Sequence, residues 1–183
     1  MKKRLEEDLN RLLQSGIELA ESGSFSSAIC RLRSGLYTAN HDYFTTDDPE
    51  LLLFSARFSK ALGDVRLMME NFSGAEDSYN IARSILWLLE KSNAPLDGHA
   101  IRTALLEATR GLGDTAYANG LLSDARLYYQ SLREMCMQSK EQTDFVKQLH
   151  LHVCRRLADA SADRRGTGST LETLLQEESE LVG

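Results

Sequence analysis

Residues 111–132 read GLGDTAYANGLLSDARLYYQSL, and residues 61–82 read ALGDVRLMMENFSGAEDSYNIA. Superposed on their shared LGD, the two stretches put Gly63 over Gly113, Phe72 over Leu122, Ala75 over Ala125 and Tyr79 over Tyr129. The same offsets recur as Gly16, Phe25, Ala28 and Leu32, with Gly23 standing in the turn as Gly120 does. A fainter fourth copy has Ala158 of RLAD (156–159) in the glycine position and Thr170 where the second alanine belongs. Successive copies are 47, 50 and 45 residues apart. Each copy reads as a pair of antiparallel helices. Small residues on facing helices let the backbones approach, and bulky ones fill the space between neighbouring pairs. Such a unit cannot cover its own apolar face, so units must stack.

The punctuation agrees. Asp48 is placed to cap a helix whose first residue is Pro49. Ser73 with Glu76, Ser139 with Gln142, and Ser169 with Glu172 have the capping-box spacing. Apolar residues at 51, 54, 58, 61, 62, 65 and 68 keep the helical period. Helices are expected near 3–22, 25–39, 49–70, 73–91, 98–119, 122–137, 140–163 and 169–180. The expected loops are NHDYFTTD (40–47), SNAPLDG (92–98), a short turn near 138 and RRGTG (164–168). Nothing alternates with period two, so no strand is expected.

This pattern resembles the tetratricopeptide (TPR) repeat family over roughly residues 5–163. The carrying residues are Gly16, Phe25, Ala28; Gly63, Phe72, Ala75, Tyr79, Ala82; and Gly113, Gly120, Ala125, Tyr129. The period exceeds the family's 34 residues, and Leu12, Ser59 and Thr109 stand where an aromatic is usual early in the first helix. The resemblance implies an all-α fold of about seven or eight helices, antiparallel pairs stacked in a right-handed superhelix. The repeat domain is expected over 1–163, with pairs near 3–39, 49–91 and 98–137 and a degenerate one at 140–180. Residues 164–183 would form a linker and a capping helix.

Composition bounds the function. A chain of 183 residues with 42% hydrophobic and 26% charged residues is ordinary for one globular core. Its net charge of -6 argues against nucleic acid or an anionic membrane as main partner. Cys30, Cys136 and Cys154 form no CxxC pair, which fits a reducing compartment. MKKRLEEDLNRLL lacks the apolar stretch of a secretory signal, and the apolar runs LLLF (51–54) and ILWLL (85–89) are too short to span a bilayer. A soluble cytoplasmic chain is expected, without membrane insertion.

Charge repeats with the fold. Lys60 with Asp64, Arg110 with Asp114, and Arg155 with Asp159 bracket the small residue of each copy at i, i+4 spacing. At about 100° per residue these pairs lie opposite Leu62, Leu112 and Leu157. The TPR resemblance would put them in the concave groove lined by first helices, with Arg57, Glu107, Leu67 and Tyr117 one turn away. The first copy has Leu13 and Ile17 at those offsets, so the groove would start apolar and become charged. Two readings stand: solvated ion pairs worth a few tenths of a kcal/mol each, or a ladder that grips the ends and carboxylates of a peptide. The carboxylate clamp of chaperone-binding TPR proteins needs asparagine where Asp64 and Asp114 stand.

Other features weigh less. His150 and Cys154 share an i, i+4 spacing without a second pair of zinc ligands, and read as a surface histidine beside a core cysteine. Asp42, Asp47, Asp48 and Glu50 lack the EF-hand order and read as loop and cap. RRGTGST (164–170) reads as a linker, having neither Walker lysine nor preceding strand. Trp87 is assigned to inter-repeat packing or to a docking surface, and the tail TLETLLQEESELVG to a cap or a helix folded over the groove. No nucleophile, base and orienting group assemble, so neither an enzyme nor a cofactor is expected. The leading expectation is an adaptor, scaffold or chaperone that binds a protein partner's peptide or helix through Lys60, Asp64, Arg110, Asp114, Arg155, Asp159, Arg57 and Tyr117. The alternative is a regulatory subunit, or part of a larger TPR protein, that docks by its convex face or self-associates.

Overall fold

The computed structural model describes residues 2–92, 94–139 and 143–162. Its regular structure is entirely helical: α1 (Lys2–Glu21), α2 (Phe25–Thr46), α3 (Pro49–Met68), α4 (Phe72–Lys91), α5 (Gly98–Ala118), α6 (Leu122–Met137) and α7 (Asp144–Ala162). The helix expected at 169–180, the linker before it, the start expected at 140 and two of the three capping boxes fall wholly or partly outside the described residues. Two compact units are distinguished, one running through Gly111 and one beginning at Leu112, with the boundary inside α5.

The repeat is legible in the backbone. The turns after α1, α3 and α5 are the same structure three times. Ser24 N–H donates to Leu19, Asn71 to Arg66 and Leu121 to Ala116, each reaching back five residues, and the preceding residue donates to Ala20, Leu67 or Tyr117. That is the Schellman arrangement, whose penultimate residue must be left-handed. Gly23 (φ 78°) and Gly120 (φ 75°) supply it, and Glu70 (φ 56°) holds the same place in the middle copy. The N-cap that follows in this copy is Asn71, whose side chain accepts from Gly74 N at 3.1 Å, so α4 starts at Phe72 rather than at a Ser73 capping box.

In the first unit α3 packs on both α2 and α4, and α2 on α1. Gly16, Gly35, Gly63 and Gly111 work differently from the sequence expectation: each admits a side chain of a neighbouring helix rather than a backbone. A Cβ on Gly16 would lie 2.5 Å from Leu32 Cδ2, and one on Gly63 would lie 2.8 Å from Tyr79 Cδ1. A Cβ on Gly35 would lie 2.2 Å from Phe58 Cζ, and one on Gly111 would lie 2.4 Å from Tyr79 Cε1. Tyr79 is thus held between Gly63 of α3 and Gly111 of α5. Phe58, fully buried, supplies from one position earlier the aromatic bulk missing at Ser59.

α2 overruns its expected end at 39 and takes in NHDYFT and a further threonine as helix. Ala39 is fully buried, and Asn40 accepts from Ser55 Oγ of α3 at 2.7 Å. The helix stops at Asp47, which is left-handed (φ 54°) with its N–H on Tyr43 O. Asp48 then caps α3 by accepting from Glu50 N at 3.1 Å, with Pro49 at the first position.

In the second unit α6 packs on α7, and Gly113 receives the Tyr129 ring, which a Cβ would meet at 2.6 Å. Leu132, Cys136 and Val153 are fully buried there, and Cys154 nearly so. His150 is buried too, 8% exposed, which corrects its assignment to the helix surface.

Candidate functional site

Leu62, Leu112 and Leu157 are buried, so the opposite faces of α3, α5 and α7 are the ones available for function. On the first unit that face forms a cleft of about 170 Å³. Leu13 and Ile17 of α1 stand at one side, with Arg57, Lys60 and Asp64 of α3 in the middle and Glu107 of α5 opposite. Ala56, Ala61, Leu86 and Ala104 complete the lining. Three first-of-pair helices therefore bring together six of the residues that the repeat offsets single out, apolar at the α1 side and charged towards α5.

Three of the charges in the cleft, Lys60, Asp64 and Glu107, are engaged with one another. Lys60 Nζ lies 3.0 Å from Asp64 Oδ2 and 3.7 Å from Glu107 Oε2, so it ties its own helix to α5. Asp64 also accepts the Tyr79 hydroxyl at 2.6 Å through Oδ1. Arg57 lies with its guanidinium carbon 5.7 Å from the Phe54 ring centre, an attractive cation–π placement.

The second unit repeats the motif. Asp114 Oδ1 accepts the Tyr129 hydroxyl at 2.7 Å, and His152 Nε2 of α7 stands 3.3 Å from the same oxygen. Burial, and then the Asp114 carboxylate, push the Tyr129 hydroxyl well above its ordinary 10.0. Tyr117 carries the Arg156 guanidinium 4.6 Å over its ring. Arg110 is half-buried on α5, while Arg155 and Asp159 are exposed on α7.

The sequence reading missed that the aspartate and the tyrosine of a copy are one device. The signal was available: Asp64 and Tyr79, like Asp114 and Tyr129, are fifteen residues apart. In the first copy those places hold Ile17 and Leu32, an apolar pair where no hydroxyl needs an acceptor. A buried hydroxyl without a partner is costly, so the two positions change together.

Elsewhere, the acidic residues near the start of α3 meet an ammonium. Lys2 Nζ lies 2.9 Å from Asp48 Oδ2 and 3.1 Å from Glu50 Oε2. Among the described residues no group of three or more histidine, cysteine, aspartate or glutamate side chains is arranged to hold a metal ion, and no helix is long and apolar enough to cross a membrane. On the outer side of α4, Ile81, Trp87 and Leu88 are each more than half exposed.

No family model and no curated protein matches the chain. Among solved structures, the "DHF46 filament" aligns over 98% of this chain and 97% of its own at 16% identity, with a TM-score of 0.37. Likeness at that level carries no argument about fold or function.

Proposed function

We propose that the chain is a non-catalytic, TPR-like interaction module, an adaptor, scaffold or chaperone that docks a peptide or helix of a partner protein. One observation carries this reading: Leu13, Ile17, Arg57, Lys60, Asp64 and Glu107, from three first-of-pair helices, line one open cleft. Repeat proteins use the surface shared by successive units for recognition. The three free cysteines fit a cytoplasmic setting. In the same reading Arg110 of the first unit, and Asp114, Tyr117, Arg155 and Asp159 of the second, are further partner-binding residues.

A second reading is favoured by the exposed Ile81, Trp87 and Leu88 of α4. In it the chain is a regulatory subunit, or part of a larger TPR protein, that docks or self-associates through that face. Affinity capture compares the wild type with Lys60→Glu and with Trp87→Ser, after circular dichroism shows all three folded. A partner lost with Lys60→Glu and kept with Trp87→Ser supports the cleft. The reverse moves docking to α4, and equal capture by all three removes both surfaces.

A further inference from the structure

The cleft on α1, α3 and α5 has a definite chemistry, and the inference drawn from it rests on the docking reading above. Two cations and two carboxylates line it, and they balance. Lys60 is spent on Asp64 and Glu107, and Asp64 is also bonded to Tyr79. An ammonium entering here would have to compete with Lys60 for Asp64 and Glu107, and a carboxylate would have to draw Lys60 off both or Arg57 off the Phe54 ring. Leu13, Ile17, Ala56, Ala61, Leu86 and Ala104 make the rest of the wall. Three of the six are alanines, so space is left by the small size of the residues rather than by a gap in the backbone packing. At about 170 Å³ the cleft falls below the roughly 300–1,000 Å³ of small-molecule sites, and suits one side chain inserted from a larger partner.

We infer that the cleft is an anchor pocket for a single uncharged apolar side chain, of leucine, isoleucine or methionine size, presented by a partner peptide. The charge ladder is then a frame, not a grip. The Lys60–Glu107 contact holds α3 and α5 at the spacing that keeps the pocket open. Selection against acidic and basic anchors comes from the cost of drawing Lys60 or Arg57 away from their partners. The partner's remaining residues contribute complementarity around this one insertion, as expected where a small central cluster dominates binding.

The test uses the full chain with methyl labels on Leu13, Ile17 and Leu86, and three acetylated, amidated pentapeptides of alanine with leucine, glutamate or lysine at the centre. Saturable methyl shifts from the leucine peptide alone, unchanged between low and high salt and abolished by Ala104→Leu, are expected. Saturation by the glutamate or lysine peptide on the same methyls, weakened by salt, would overturn the apolar anchor while leaving the cleft as a docking site. Shifts from no peptide would overturn the anchor as well, and the capture experiment with Lys60→Glu then decides separately whether docking uses this face.

Discussion

Each tyrosine of the repeat occupies the space that a glycine leaves open. Alanine in the middle of a helix is ordinarily better than glycine by about 1 kcal/mol. At Gly63 and Gly113 the added carbon would stand 2.8 and 2.6 Å from a buried ring. Overpacking of that kind costs about 1–3 kcal/mol, so Gly63→Ala and Gly113→Ala are expected to lose up to about 2 kcal/mol net in urea unfolding. Gly98→Ala, with nothing within 4 Å, is expected to be neutral or stabilising in the same assay. The hydroxyls make a second comparison. Tyr129→Phe removes one donor from Asp114 and is expected to cost about 1 kcal/mol. Tyr79→Phe removes the matching donor from Asp64 and is expected to cost about the same, about 1 kcal/mol.

Helix ends separate what the sequence discloses from what it hides. The glycine turns and the Asp48–Pro49 start are readable because their chemistry is local. The continuation of α2 through NHDYFT is not, because turn-forming residues are recruited there by tertiary contacts, Ser55 on Asn40 and the burial of Ala39. The same holds for the site. Periodicity placed Lys60, Asp64 and Glu107 on one face, but the Lys60–Glu107 contact depends on how two helices sit side by side, and the Tyr79 bond on which ring lands over which glycine. In the middle turn Glu70 occupies a left-handed place that costs a residue with a Cβ about 1–2 kcal/mol. Glycine loses about 0.5–1 kcal/mol more entropy on folding, so Glu70→Gly is expected to gain about 0.5–1 kcal/mol. Asn71→Ala, which strips the cap of α4, is expected to lose about 1 kcal/mol. Thermal melts of the two variants should therefore move in opposite directions.

For the molecule as a whole, the titrating groups set limits on both sides of neutrality. The Lys2 ammonium, helped by the Glu50 N–H, holds the Asp48 carboxyl below its ordinary 3.8. A depressed carboxyl contributes stability above that value and loses it as pH falls through the folded one. The Lys2 partner is exposed, so the pair's contribution is small. Lys2→Ala is expected to lower the melting temperature slightly at neutral pH and not at all once Asp48 is protonated. Tyr129 has the opposite sign. Its hydroxyl is raised above 10.0, so its contribution is whole below that pH and is lost as pH climbs beyond it. Tyr129→Phe should be less stable than wild type near neutrality, with a flatter decline of the urea midpoint in strong base.

Trp87 is the chain's single tryptophan, and it is 54% exposed on α4. Its fluorescence is therefore a poor thermometer of the core and a good sentinel of the surface. Emission should change little when the buried tyrosine sockets come apart, and should shift to the blue when something apolar settles on α4. A ligand seated in the cleft would leave that colour alone. The molecule thus carries an optical label, already in its own sequence, that distinguishes its two candidate faces without a single substitution.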